Sequence, residues 1–196
     1  MSLVDEAALA TLFTDARSQN GWRGEPVNDS DLRAAYEIAK SGPTSMNTQP
    51  MRLVFLRSTE AKERLKSALS AGNVEKALTA PVVAIVAHDL EFHTHLPEVF
   101  PHNPAAQSLF AGNEALIQGT AFRNGTLQGA YFMLALRAVG LDVGPMSGFN
   151  PAVVDAEFFA GTSWRANFLC GIGRGDPTKT YPRSPRLQFD QVARFL

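Results

Sequence analysis

Residues 73–89, NVEKALTAPVVAIVAHD, join a short helical pattern to a run of small and β-branched residues. The run from Val82 to Ala87 contains no polar side chain, which is typical of a strand buried on both faces. Asn73 and Lys76 lie three positions apart in the preceding helical turn, so they share one face of it. The stretch therefore predicts a central strand that directly follows a helical turn carrying two polar side chains.

Apolar periodicity on both sides of this strand predicts the remaining elements. The predicted helices span residues 5–17, 30–40, 59–72, 120–141 and 150–159. Further strands are predicted at residues 51–58 and 167–173, with a short strand and turn at 142–149. Ser30, Thr59 and Asn150 are the predicted N-caps, and Gly72 is the predicted end of the third helix. Residues 90–119 show little periodicity and predict an irregular excursion with one or two short helices, and residues 174–196 predict an extended tail.

Composition and charge limit the classes of function. The chain has 196 residues, of which 45% are hydrophobic and 19% are charged, with a formal net charge of -1. We therefore expect one domain over residues 1–196 and no nucleic-acid or membrane partner. The single cysteine, Cys170, excludes a disulfide framework and a thiolate metal cluster. Together with an acidic N-terminus that lacks the basic segment of a signal peptide, it favours a cytoplasmic location.

Two motifs that suggest other chemistry are not supported by their surroundings. GIGRGD, residues 171–176, is similar to a dinucleotide-binding fingerprint, but the aspartate-proline pair at its end opposes the required helix. His93, His95 and His102 lie close together, but nearby prolines predict a loop, so surface histidines are favoured over a metal site. We expect neither a Rossmann domain nor a bound metal.

Five motifs that follow one another along the chain carry a resemblance to a known family. They are RSQNGWRGEPV (17–27), GPTSMNTQPMRLVFL (42–56), NVEKALTAPVVAIVA (73–87), GLDVGPMSGFN (140–150) and PRSPRL (182–187). In order and spacing they resemble the FMN-dependent nitroreductase family over nearly the whole chain. Within that family the chain looks most like the malonic semialdehyde reductase branch that is associated with uracil degradation.

This resemblance implies a fold and an activity. The fold would be α+β with three layers, a central, mostly antiparallel sheet flanked by helices, in an intertwined homodimer with a C-terminal extension. The dimer would share two sites for non-covalent FMN, and NADH or NADPH would be the co-substrate. Malonic semialdehyde would be reduced to 3-hydroxypropionate by ping-pong hydride transfer through flavin N5. Two alternatives stay open, a broad-specificity nitroreductase or quinone reductase and a non-catalytic dimeric binding module.

The phosphate end of FMN is assigned by resemblance to both ends of the chain. Arg17, Ser18, Arg183 and Arg186 match phosphate-binding positions, and an arginine fork suits two phosphate oxygens. Asn20 stands where many members of the family have a second basic residue. The alternative is that these are solvated surface groups.

The flavin ring is assigned to two further segments. Thr44, Ser45 and Asn47 match a turn that reaches the ring edge and ribityl chain, and part of each pocket comes from the second subunit. Asn73 matches a residue that bonds the pyrimidine edge, and Lys76 matches a cation beside N1 and the C2 carbonyl. The alternative for residues 44–47 is a helix end followed by local turns. The alternative for Asn73 and Lys76 is a helix cap and an exposed lysine.

The resemblance also places a backbone segment at the reactive atom of the flavin. Met146, Ser147 and Gly148 would bring a main-chain N–H close to N5, although a simple turn explains the same glycine. Arg123 and Arg52 are candidates for binding a substrate carboxylate. No catalytic side chain is assigned, because the flavin would supply the chemistry.

Overall fold

The computed structural model describes residues 3–196, and its centre is a four-stranded antiparallel sheet. In chain order the strands are β1 (Met51–Leu56), β2 (Val82–Asp89), β3 (Asp142–Met146) and β4 (Trp164–Gly173). In space they are ordered β1-β2-β4-β3, and each neighbouring pair is antiparallel. All of β2 is buried, which confirms the central strand predicted from its uninterrupted apolar run.

Helices cover both faces of this sheet. In chain order the helices are α1 (Glu6–Leu9), α2 (Asp29–Ala39), α3 (Thr59–Leu65), α4 (Ala71–Thr79), α5 (Leu96–Val99), α6 (Glu114–Ala138), α7 (Pro151–Phe158) and α8 (Phe189–Val192). Helices α2 and α6 pack on one face and α3, α4 and α7 on the other. A π-helical segment, Ala10–Thr14, continues α1. Within the part of the chain described, none of these helices combines the length and apolar character needed to cross a membrane.

Two hydrophobic cores fill the space between the layers. On one face Val82 and Val86 of β2 pack with apolar residues of α2 and α6, among them Phe132. On the other face Val83 and Ile85 pack with residues of α3, α4 and α7. The predicted α+β fold, with an antiparallel sheet between helical layers, is therefore confirmed.

A third core lies away from the sheet, in the predicted excursion. Phe92, Leu96 and Phe110 are buried there together with residues at the start of α6. Phe92 and Phe110 meet edge to face with their ring centroids 5.0 Å apart. The excursion contains α5 and short 3-10 segments, as its weak periodicity predicts.

The helix predicted over residues 59–72 is present but shorter, with α3 at Thr59–Leu65 and a 3-10 turn at Lys66–Ala68. Its cap is Ser58, whose side chain accepts a hydrogen bond from the Ala61 N–H, and the chain leaves the helical conformation at Leu69. Leu69 instead forms an antiparallel bridge with Phe149, so a long-range backbone contact overrides the local helical pattern. Gly72 consequently lies inside α4 rather than at a helix end.

Other predicted boundaries differ by a few residues. The chain enters α2 through Asn28 rather than Ser30, and α6 begins at Glu114, capped by Asn113, rather than at residue 120. At its C-terminal end the predicted first helix stops at Thr14, because the residues that follow pair with β3. Asn150 caps α7 as predicted.

Candidate functional site

Strand β3 lies at one edge of the sheet, and two other segments meet it there. Ser18 forms a parallel bridge with Val143, and the Gln19 N–H donates to the Val143 carbonyl at 3.0 Å. From α4, Lys76 Nζ donates to the carbonyl of Pro145 at 3.1 Å. The N-terminal motif, α4 and β3 therefore form one surface, which we call the β3 site.

The C-terminal tail reaches the same end of the molecule. Arg183 Nη2 donates to the carbonyls of Thr14 at 2.6 Å and Ala16 at 3.0 Å, and Arg17 donates to the carbonyl of Tyr181. These contacts hold the tail around residues 181–183 against residues 14–17, so two guanidinium groups from opposite ends of the chain lie close together. Arg186, in contrast, donates to carbonyls within the tail itself.

Lys76 is the buried cation of the β3 site. Its side chain crosses Gly144, where an added Cβ would lie 2.7 Å from Lys76 Cε and 2.5 Å from the Gln19 carbonyl oxygen. Lys76 is only 8% exposed, and this burial lowers the pKa of its ammonium group. Glycine at position 144 is thus a steric requirement for the path of this lysine.

The turn after β3 is attached to the start of α4. Asn73 Nδ2 and the Ser70 N–H both donate to the Gly148 carbonyl, at 3.0 and 2.9 Å. A Cβ on Gly148 would lie 2.7 Å from Asn73 Nδ2, so only glycine permits this approach. Ser147 is exposed, and the Met146 side chain is buried in the second core, so Met146 could offer a ligand only its main chain.

The residues 43–49, which we call the polar turn, are held by α6. Asn124 Oδ1 accepts from the Ser45 N–H at 2.8 Å, and Gln128 Oε1 accepts from the Met51 N–H at 2.9 Å. Both amides are almost fully buried, and they lie one helical turn apart on the same face. They hold both ends of a turn in which Met46, Asn47 and Gln49 have φ values of 49°, 51° and 43°.

Positive φ is unfavourable for side-chain-bearing residues, so the polar turn is maintained by its surroundings. Asn47 Nδ2 donates to the Val99 carbonyl at 2.7 Å, and Met46 packs on the third core. The Thr44 hydroxyl accepts from the Gln49 N–H at 3.3 Å. The excursion and α6 together present the exposed Ser45 and Asn47 at the surface.

The polar turn and the β3 site lie at opposite corners of the sheet. Met51, at the end of the turn, pairs with His88 of β2. Val143 pairs with Ile172, which in turn pairs with Val82 at the other end of β2. Val82 and His88 are six positions apart along β2, which is about 20 Å. Thr44, Ser45 and Asn47 therefore do not join Lys76 within one chain.

The two candidate substrate arginines have different surroundings. Arg52 donates to Asp89 Oδ2 at 2.6 Å and to the carbonyls of Gln49 and Met51, each at 3.0 Å. Its guanidinium thus ties the polar turn to β2, which opposes its prediction as a substrate ligand. Arg123 is exposed on α6, and Asn20 is half-buried beside the β3 site.

Sequence reasoning missed Trp22 and Asn124 as site residues. Trp22 Nε1 donates to the Lys76 carbonyl at 2.9 Å across 54 residues of sequence, and Asn124 binds Ser45 across 79. No local pattern reveals contacts of such separation. The only signal was that Trp22 lies within the motif RSQNGWRGEPV.

A sequence profile of the Nitroreductase family matches residues 15–174. The chain belongs to the nitroreductase family. HadB of Ralstonia pickettii, which carries the name NADH dehydrogenase/NAD(P)H nitroreductase, is 60% identical over 187 residues, covering 94% of this chain and 95% of that protein. This assignment confirms the family indicated by the five motifs, although it does not separate the branches within it.

Solved structures of the same fold extend over almost the entire chain. Nitroreductase ydfN of Bacillus subtilis superposes with a TM-score of 0.88 at 21% identity, covering 98% of this chain and 100% of that one. A nitroreductase from Exiguobacterium sibiricum, solved in complex with FMN, superposes with a TM-score of 0.85 at 20% identity, covering 100% and 99%. At such identities the likeness establishes the fold alone.

Proposed function

We propose that this protein is an FMN-dependent NAD(P)H oxidoreductase. The observation that carries the proposal is the meeting of Arg17, Arg183, Asn73 and Lys76 around β3, from three separate parts of the chain. Family membership and the NAD(P)H nitroreductase name of HadB support it. The FMN complex of the E. sibiricum protein supports the choice of flavin.

The residues of the β3 site fit the chemistry of FMN. Arg17 and Arg183 lie at the end of the site where the tail meets residues 14–17, and they would hold the phosphate. Asn73 and Lys76, one helical turn apart on α4, would face the ring, and Gly144 keeps that side free of a side chain. When bound, FMN supplies the hydride transfer between the nicotinamide and the substrate.

The role proposed for Lys76 is electrostatic. Its Nζ has the Pro145 carbonyl as one acceptor, which leaves other N–H groups for a ligand oxygen or nitrogen. Because the ammonium is largely withdrawn from water, its field is less screened than that of a surface lysine. A cation in this position stabilises negative charge on a reduced ring.

We further propose a homodimer in which each site combines the β3 site of one chain with the polar turn of the other. The separation of these two groups within one chain supports this arrangement. So does the tail, where Leu187, Phe189, Val192 and Phe195 are all exposed. Exposed apolar side chains in such number are typical of a surface that another copy covers.

A groove beside β1 is a suitable place for part of the second copy. It lies between α2 and β1, has a volume of about 950 Å³, and is lined by Leu32, Tyr36, Leu53 and Phe55. Within residues 3–196 the outer edge of β1 pairs with no other strand. Such an edge with an apolar groove beside it suits the extended tail of a partner.

For the substrate we propose malonic semialdehyde, reduced to 3-hydroxypropionate in pyrimidine degradation. The likeness of the five motifs to that branch supports this choice, and the exposed Arg123 is the remaining candidate for the substrate carboxylate. A broad NAD(P)H nitroreductase or quinone reductase is the second candidate. The name of the 60% identical HadB favours it, and both substrates need the same cofactor site.

Purification and anaerobic titration test the activity. We expect yellow protein with one FMN per chain, bleached by NADH or NADPH and reoxidised by substrate. Steady-state rates on malonic semialdehyde, nitrofurazone and menadione with each nicotinamide then decide the substrate. Colourless protein that cannot be reconstituted with FMN would refute the enzyme and favour the non-catalytic binding module.

Matched variants test the assigned residues. Lys76→Met should lower the reduction potential of the flavin, while Lys66→Met, at an exposed lysine, should leave it unchanged. Arg183→Ala should weaken FMN binding, and Arg194→Ala, also in the exposed tail, should not. Wild-type FMN content and potential in both Lys76→Met and Arg183→Ala would refute these roles.

Mixing two impaired variants tests the shared site. Lys76→Met impairs the β3 site and Asn47→Ala impairs the polar turn, so a mixed dimer contains one intact site and one doubly altered site. Unfolding and refolding the two proteins together at equal amounts should therefore restore about a quarter of wild-type sites. Failure to restore any, with dimers present by sedimentation, would show that each site lies within one chain.

A further inference from the structure

We propose that Trp22 is a positioning residue that fixes Lys76 in the β3 site through its indole N–H. This inference rests on the proposed FMN-dependent function and adds to it a residue that sets the electrostatics of the cofactor. It follows from the way the indole lies between the sheet and α4.

The indole ring of Trp22 lies on a patch of glycines. Gly144 of β3 pairs with Gly171 of β4, and Gly173 follows two residues later on the same face. A Cβ at these positions would lie 3.1, 2.5 and 3.1 Å from atoms of the Trp22 ring. Side chains are therefore absent at all three positions on which the ring lies.

The backbone of Trp22 is fixed to the extension of β4. Trp22 forms an antiparallel bridge with Gly175, the Arg23 N–H donates to the Arg174 carbonyl at 2.8 Å, and the Asp176 N–H donates to Gly21 at 3.0 Å. The ring therefore projects from a paired segment rather than from a free loop. Its position is set by the sheet.

The indole N–H binds the main chain of Lys76. Helix α4 ends close by, and the Ala80 N–H donates to Ala77 rather than to Lys76. Carbonyls in the last turn of a helix need partners from elsewhere, and Trp22 Nε1 supplies one to Lys76 at 2.9 Å. Lys62 Nζ donates to two further carbonyls at this helix end, those of Leu78 at 3.0 Å and Ala80 at 2.8 Å.

Both ends of Lys76 are consequently attached to the same corner of the sheet. Its carbonyl is held by Trp22, its stem lies across Gly144, and its ammonium is held by Pro145. Since Lys62 holds the rest of the helix end independently, loss of the indole N–H frees Lys76 in particular. The interaction energy of two charges is inversely proportional to their separation, so a displaced Lys76 ammonium would stabilise a charge on the flavin less.

The test uses Trp22→Phe, which keeps an aromatic ring and removes the N–H. Trp164→Phe is the matched control, because Trp164 is the second of the two tryptophans and packs against Phe159 at a ring separation of 5.8 Å. The measurement is the ratio of reduced to oxidised bound FMN in equilibrium with a reference dye. We expect Trp22→Phe to lower this ratio at least about threefold, and Trp164→Phe to leave it unchanged.

A double-mutant cycle separates positioning from packing. If Trp22 acts through Lys76, then Trp22→Phe should cause no further shift in a Lys76→Met background. If Trp22→Phe binds FMN weakly, the dissociation constant of FMN is measured for the same four proteins instead. An unchanged ratio in Trp22→Phe, or a shift that persists fully in the Lys76→Met background, would overturn the proposal. Wild-type protein that binds no FMN would instead refute the proposed function.

Discussion

Gly144→Ala is expected to disrupt the β3 site by the addition of a single methyl group. The new Cβ would lie 2.5 Å from the Gln19 carbonyl oxygen, 2.7 Å from Lys76 Cε and 3.1 Å from Trp22 Cζ2. Lys76 could shift, but the Gln19 oxygen belongs to backbone that is paired with Val143 and cannot rotate away. Forcing an extra carbon into a packed site costs about 1–3 kcal/mol.

This cost can be read as a change in melting temperature. For a domain of this size 1 kcal/mol corresponds to roughly 2–4 °C, so the apoprotein of Gly144→Ala should melt roughly 2–12 °C lower than the wild type. Since Lys76 and the segment around Gln19 must also move apart, FMN content after purification should fall. Differential scanning calorimetry and flavin absorbance measure the two effects.

Gly72→Ala is the matched control for the same chemical change. Gly72 lies within α4, and a Cβ there meets no atom within 4 Å. Alanine is favoured over glycine in a helix by about 1 kcal/mol, so this variant should melt at a higher temperature and keep its FMN. A Gly144→Ala protein with wild-type melting temperature and FMN content would refute the steric reasoning.

Three further predictions concern buried groups. Burial raises the pKa of the Cys170 thiol from 9.0 to about 12, so the unfolded chain loses this proton first and stability should fall as pH rises from 9 towards 12. Cys170→Ala should remove that part of the fall in urea unfolding, and an unchanged alkaline profile would contradict it. Asp89→Ala leaves Arg52 without its carboxylate partner and should lower the free energy of unfolding by about 3–5 kcal/mol, whereas the exposed Asp190→Ala should change it little. Asn124→Leu removes the acceptor of the Ser45 N–H and should speed hydrogen exchange in the polar turn, and unchanged exchange there would refute this role.

The sheet and most helices could be predicted because their signals are local. An apolar run with no polar interruption indicates a strand that is buried on both faces, and β2 is buried at every position. The helix predicted over residues 59–72 is too long for the complementary reason. Its sequence favours a helix throughout, but the bridge from Leu69 to Phe149 ends it, and that partner is distant in the sequence.

The candidate site could be predicted only through resemblance. Nothing in the spacing of Arg17 and Arg183 indicates that the tail returns to residues 14–17, since the contact depends on the path of the whole chain. Trp22 and Asn124 were missed because each forms a hydrogen bond with a backbone group, and backbone groups are the same at every position of the sequence. The role of Gly144 is likewise visible only from what a larger residue would strike.

The third core gives the excursion a degree of independence from the rest of the protein. Its buried residues, such as Phe92 and Phe110, belong to neither sheet core, and it meets the polar turn mainly through Met46 and Asn47. Lengthening or exchanging the excursion would alter the residues beside the polar turn without changing the packing of the sheet. Directed evolution of new substrate preferences should therefore begin with libraries at the exposed positions of residues 90–113, leaving the buried Phe92, Leu96 and Phe110 unchanged.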